Sequence, residues 1–121
     1  MSNVQTRLDQ IEQHLTKQKE KVALGDKITK LVKTPLFREV IVDTFSTQEC
    51  ARYAQESADP MLTAEQRADA LAMAQASGHL RRWLAIQLQM SELAARDIPE
   101  IEEEITRVRQ DDGDDGQWEA A

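Results

Sequence analysis

A chain of 121 residues, 40% hydrophobic but only 4% aromatic, has room for one domain with a core of Leu, Ile, Val, Met and Ala. Its net charge of −7 sits wholly at one end: residues 1–94 carry 12 Lys/Arg against 12 Asp/Glu, and the last 27 carry three Arg against ten acids. This balance disfavours general nucleic-acid binding, a lone cysteine excludes an intrachain disulfide, and no apolar run reaches the roughly 18 residues that a membrane-spanning helix needs.

The composition is strongly helix-favouring, and the three prolines fall where helices would start or end, so the fold class is all-α. A first helix is expected over about 3–33. Val4, Leu8, Ile11, Leu15 and Val22 follow the 4-3-4 spacing of a heptad seam, with polar Gln18 and then Gly25 at the next seam positions. Two readings stay open: an amphipathic helix on its own domain, or a coiled-coil seam with another helix or another copy. The shift of phase to Leu24, Ile28 and Leu31 predicts a kink or restart at Gly25-Asp26.

Thr34-Pro35 marks a boundary, with Thr34 as cap and Pro35 in the first turn of a short helix over about 35–44. Ser46-Thr-Gln-Glu49 reads as a capping box that starts another helix, about 47–58. The small residues Cys50, Ala51 and Ala54 would let that helix approach a neighbour closely. Asp59-Pro60 breaks the chain, and Thr63-Ala-Glu-Gln66 is a second capping box that opens a long helix over about 64–97. Trp83 in this helix is the strongest single candidate for a core anchor or contact hot spot, with the core preferred. Arg81 and Arg82 beside it suit an interface or solvent.

Ile98-Pro99 predicts a kink or restart before a last helix over about 99–110, where Ile98, Ile101, Ile105 and Val108 again follow heptad spacing. The simplest architecture is a helical bundle in which the two end helices pair antiparallel, all within one domain of residues 1–110. Charge supports the pairing, because Lys17, Lys19, Lys21, Lys27, Lys30 and Lys33 would lie near Asp97, Glu100, Glu102, Glu103 and Glu104. Residues 111–121 read as a disordered acidic tail. Asp111, Asp112, Asp114, Asp115 and Trp118 would form a hook for a basic partner, or the tail simply solubilises.

Motifs for chemistry are missing. His14 and His79 have no ligand-spaced companions, Cys50 reads as a small contact residue, and the aspartates after Gln110 do not alternate as a calcium loop requires. No catalytic residue, metal site or cofactor is expected.

The middle of the chain resembles small acidic helical proteins encoded by tailed bacteriophages. The matching run is Leu36-Phe-Arg-Glu-Val-Ile-Val-Asp-Thr-Phe45, then Glu49, Arg52, Ala58-Asp-Pro-Met61, Thr63-Ala-Glu-Gln-Arg67 and Leu80-Arg-Arg-Trp-Leu84. The resemblance implies a virion or assembly role and transfers no site residue. The expected function is therefore a non-catalytic structural or assembly protein of a tailed phage, acting by helix-mediated contacts with itself or another phage component. The alternative is a small acidic inhibitor or adaptor of a basic host protein such as a nucleic-acid enzyme. The expected location is the host cytoplasm when made, with incorporation in the virion as a further step, and no membrane partner.

Overall fold

The computed structural model describes residues 3–120, with side chains through Asp111. The described residues are helical apart from the turns at 33–34 and 58–63, without a strand: α1 (Asn3–Val32), α2 (Pro35–Phe37), a π-helix (Arg38–Glu49), α3 (Cys50–Ser57) and α4 (Ala64–Ala120). This is the all-α helical bundle that the composition demands.

Local chemistry explains the boundaries. Thr34 has extended backbone and its hydroxyl accepts the Phe37 N–H at 3.2 Å, which caps α2 with Pro35 in the first turn. At the Asp59-Pro60 break the Asp59 carboxylate accepts the Met61 N–H at 2.9 Å and shapes the turn. The capping box before α4 is reciprocal. Gln66 N–H donates to Thr63 Oγ1 at 3.1 Å, and Thr63 N–H donates to Gln66 Oε1 at 3.0 Å.

The helix restarts expected at Gly25, Ser46 and Pro99 are absent. Gly25 lies inside an unbroken α1, with no positive φ at any described glycine. Ser46 does not cap a helix; its hydroxyl meets the Ser77 hydroxyl at 2.6 Å, and helical backbone runs on from Pro35 to Ser57. Pro99 lies within α4, which has no break at Ile98-Pro99. The missing Pro99 N–H leaves the Ala95 carbonyl without its helical donor, but both residues are exposed, so water can hydrate that carbonyl. The bounds of α4 also take in most of the stretch expected as an acidic tail.

Between Arg38 and Glu49 the backbone is wound wider than an α-helix. The Cys50 N–H reaches back five residues to the Phe45 carbonyl. Thr44 and Thr47 add hydroxyl bonds to the carbonyls of Glu39 and Val42, at 2.8 and 2.9 Å, again five residues back. A twelve-residue π-helix is far longer than the usual single-turn bulge.

The chain divides into two compact units, where the sequence suggests one: Met1–Asp26 with Gln89–Ala121, and Lys27–Leu88. In the first, α1 and α4 pair antiparallel. Leu8, Ile101, Ile105 and Val108 are buried together, with Val4, Ile11 and Leu15 packed against them. Further along, Gln18 Nε2 donates to Asp97 Oδ2 at 3.2 Å and Gly25 faces Ser91, so α4 descends as α1 ascends. In the second unit, Ile28, Cys50 and Ala70 are buried, and Cys50 Sγ lies 3.6 Å from the Met73 carbonyl of α4. Small side chains make that close packing available.

Candidate interaction surfaces

The heptad residues of both chain ends form one intramolecular seam. Val4, Leu8, Ile11 and Leu15 meet Ile101, Ile105 and Val108 in the first unit, while Val22 and Ile98 are half-buried. Burying a side chain of this size fully contributes about 1.5–3 kcal/mol, so the four buried members dominate the seam. The seam does not stop at its apolar end. Gln18 is only 5% exposed, Gly25 is buried, and Ser91 and Ala94 lie at matching heptad positions of α4. Polar and small residues here hid the continuation from a reading based on apolar spacing.

Gln18 carries a cost. Its amide nitrogen is bonded to Asp97, but its Oε1 is enclosed with no hydrogen-bond partner. A buried amide at a seam position lowers stability and disfavours other registers.

The charge pairing differs from expectation in its residues. Ion pairs between the two helices are made by arginines, Arg7 to Glu104 at 3.4 Å and Arg109 to Glu12 at 2.8 Å. Among the described residues, none of the lysines from Lys17 to Lys33 makes an ion pair. Arginine's longer, forked head spans the helix pair more readily.

Trp83 is 48% exposed and therefore not a core anchor. Arg81, Arg82 and His79 are exposed beside it. Neighbouring turns of α4 and the π-helix form a groove of about 110 Å³ lined by Phe37, Ile41, Val42, Leu80 and Leu84, with Ser46, Ser77 and Arg81 completing it. A second, more polar groove of about 420 Å³ lies between Tyr53, Leu62 and Met73, with Glu56, Asp59 and Asp69 around it. Next to it, Arg52 is held between Glu49 and Glu56 and stacks over the Tyr53 ring at 4.4 Å. The hydrogen bond to Glu49 is the chief cause that raises the Arg52 pKa above its ordinary value.

Asp111 is exposed, and the other proposed hook residues, Asp112, Asp114, Asp115 and Trp118, lie outside the residues whose side chains are described. Among the described residues no group of His, Cys, Asp and Glu is arranged to hold a metal ion, and no helix is long and apolar enough to cross a membrane.

What the second unit most plainly offers is uncovered apolar surface. Leu36 is 72% exposed, and Leu31, Val40, Met61, Leu71 and Ile86 are exposed with it. Compared with known protein families, with curated proteins and with solved structures, the chain matches none.

Proposed function

We propose that this chain is a non-catalytic structural or assembly protein that works by helix-to-helix contacts, of the kind its resemblance to tailed-phage proteins implies. One observation carries the reading. The unit Lys27–Leu88 has only Ile28, Cys50 and Ala70 buried among its described hydrophobic residues, while Leu36, Val40, Leu71, Trp83 and Ile86 face solvent. A small unit with so little core gains stability when a partner covers it. Exposed Trp beside Arg is also the composition of contact hot spots.

The partner is a second copy or another component of the same particle. Light scattering on the full chain tests association, with an expected mass above the 13.7 kDa of one chain. Replacing Trp83 and Val40 by Ser should lower that mass without loss of helix content. A stoichiometric band in purified phage particles supports the structural role. A strict monomer that is absent from particles, yet binds a basic host enzyme, overturns it in favour of the inhibitor reading.

A further inference from the structure

We infer that a second copy of this chain packs against one particular flank of the α1–α4 pair in the first unit, the flank that carries Arg7 and Glu104. This rests on the reading of the protein as one that associates through helices.

Two ion pairs label the flanks. Arg7 precedes seam residue Leu8 and Glu104 precedes seam residue Ile105, whereas Glu12 follows Ile11 and Arg109 follows Val108. One residue turns an α-helix by about 100°, so the two pairs bridge opposite sides of the seam. Heptad steps from Arg7 lead through Gln10, His14, Lys17 and Lys21 to Leu24. The same steps from Glu104 lead through Glu100, Asp97 and Leu93 to Met90.

The three large apolar residues exposed among the described residues of this unit, Leu24, Met90 and Leu93, all fall on that flank. The flank of Glu12 and Arg109 carries instead Thr16, Lys19 and Ala23 with Thr106, Glu102 and Ala95. Charge is divided too. On the Arg7 side the α1 strip is basic, with Lys17 and Lys21, and the α4 strip is acidic, with Asp97 and Glu100, Arg107 aside. Among the described residues, Lys17, Lys21 and Glu100 make no ion pair.

Such a flank is complementary to itself. A two-fold axis parallel to the helices lays α1 of one copy along α4 of the other at the same level. Leu24 then meets Met90 and Leu93, and Lys17 and Lys21 meet Asp97 and Glu100, with every contact made twice. The product is a four-helix arrangement in which all neighbours are antiparallel. The flank is about 36 Å long at 1.5 Å per residue and about 20 Å wide. That gives roughly 700 Å² per copy, close to the roughly 800 Å² per partner of a stable interface.

Two charge-reversed full-length chains test this. One carries Lys17→Glu and Lys21→Glu; the other carries Asp97→Lys and Glu100→Lys. Each alone places like charges across the two-fold contact, so its light-scattering mass should fall two-fold relative to the parent. An equimolar mixture should recover the parent mass, because each contact then joins opposite signs between chains. Reversing Lys19 and Glu102 on the other flank should change nothing. Retention of the parent mass by both variants overturns the inference, as does failure of the mixture to recover it while both remain helical. The parent's own mass separates the two readings: a monomeric parent removes self-association altogether, whereas an associating parent that ignores these substitutions leaves the functional reading intact. Should a double variant unfold, Leu24→Ser decides, since an exposed Leu to Ser change spares the seam and should still lower the mass.

Discussion

Gly25 of α1 lies so close to Ser91 of α4 that a β-carbon on residue 25 would collide with both the Cβ and the Oγ of the serine. The glycine thus serves the approach of two helices, and its role is steric. Gly78 is the natural contrast, with open space where its β-carbon would be.

Gly25→Ala should therefore destabilise the chain although alanine is the better helix former. Propensity favours alanine by about 1 kcal/mol, but forcing a methyl into a packed contact costs about 1–3 kcal/mol. Gly78→Ala should raise stability by about 1 kcal/mol, with no opposing clash. Adding Ser91→Gly to Gly25→Ala should recover much of the loss. Urea unfolding at fixed protein concentration measures all three. A Gly25→Ala chain as stable as Gly78→Ala would remove the steric account.

Gln18→Leu should stabilise the α1–α4 pair by about 1–3 kcal/mol, because it removes an enclosed oxygen that has no partner. Asp97 loses one donor but is exposed, so water replaces it at little cost. Thermal unfolding reads the gain. A drop in midpoint would mean that the Gln18–Asp97 bond outweighs the orphaned oxygen.

Leu8→Ala should cost about 2–5 kcal/mol, since Leu8 is buried against Ile101, Ile105 and Val108. Arg7→Ala or Arg109→Ala should each cost under about 1 kcal/mol, because both ion pairs are well exposed to solvent. Denaturation at low and high salt separates the two classes, and only the arginine effects should shrink with salt.

Pro99→Ala restores an N–H in the interior of α4 and should raise the unfolding midpoint, by as much as about 3 kcal/mol of stability. An unchanged midpoint would show that hydration of the Ala95 carbonyl already offsets the missing bond.

Thr63→Ala should cost about 1 kcal/mol and fray the start of α4, as lost amide protection from hydrogen exchange at Gln66 would register. Ser46→Ala should not fray a helix start, since Ser46 bonds to Ser77 and not to a backbone N–H of the next turn.

Much of the fold was legible because its signals are local. Thr34, Asp59 and Thr63 act through atoms within three residues of themselves, so side-chain chemistry and spacing sufficed. The apolar end of the seam was legible for the same reason, as Val4–Leu15 and Ile98–Val108 declare their period. Gly25, Ser46 and Pro99 misled because each is a strong local breaker or cap that its surroundings override. Gly25 packs against Ser91, Ser46 bonds to Ser77, and the Ala95 carbonyl that Pro99 leaves without a donor is open to water. The wide winding of Arg38–Glu49 had no sequence signature, for its threonines would bond the preceding turn of an ordinary helix equally well.

The candidate surfaces divide in the same way. Trp83 stands among Leu80, Leu84 and Ile86 at helical spacing, which suits burial; only the placement of neighbours left it half-exposed. The basic and acidic strips were visible as composition. Which residues pair was not, because that depends on a register fixed by Gln18 with Asp97 and Gly25 with Ser91.

By itself, then, the sequence determined an all-helical chain, most of its turns and the apolar end of its seam, since helix propensity, caps and periodicity act over a few residues. Tertiary structure alone decided that the polar middle of the seam continues the pairing, and that Leu24, Met90 and Leu93 share one uncovered flank. Those facts depend on the facing of residues more than sixty positions apart, and distance along a chain carries no record of facing until the helices have packed.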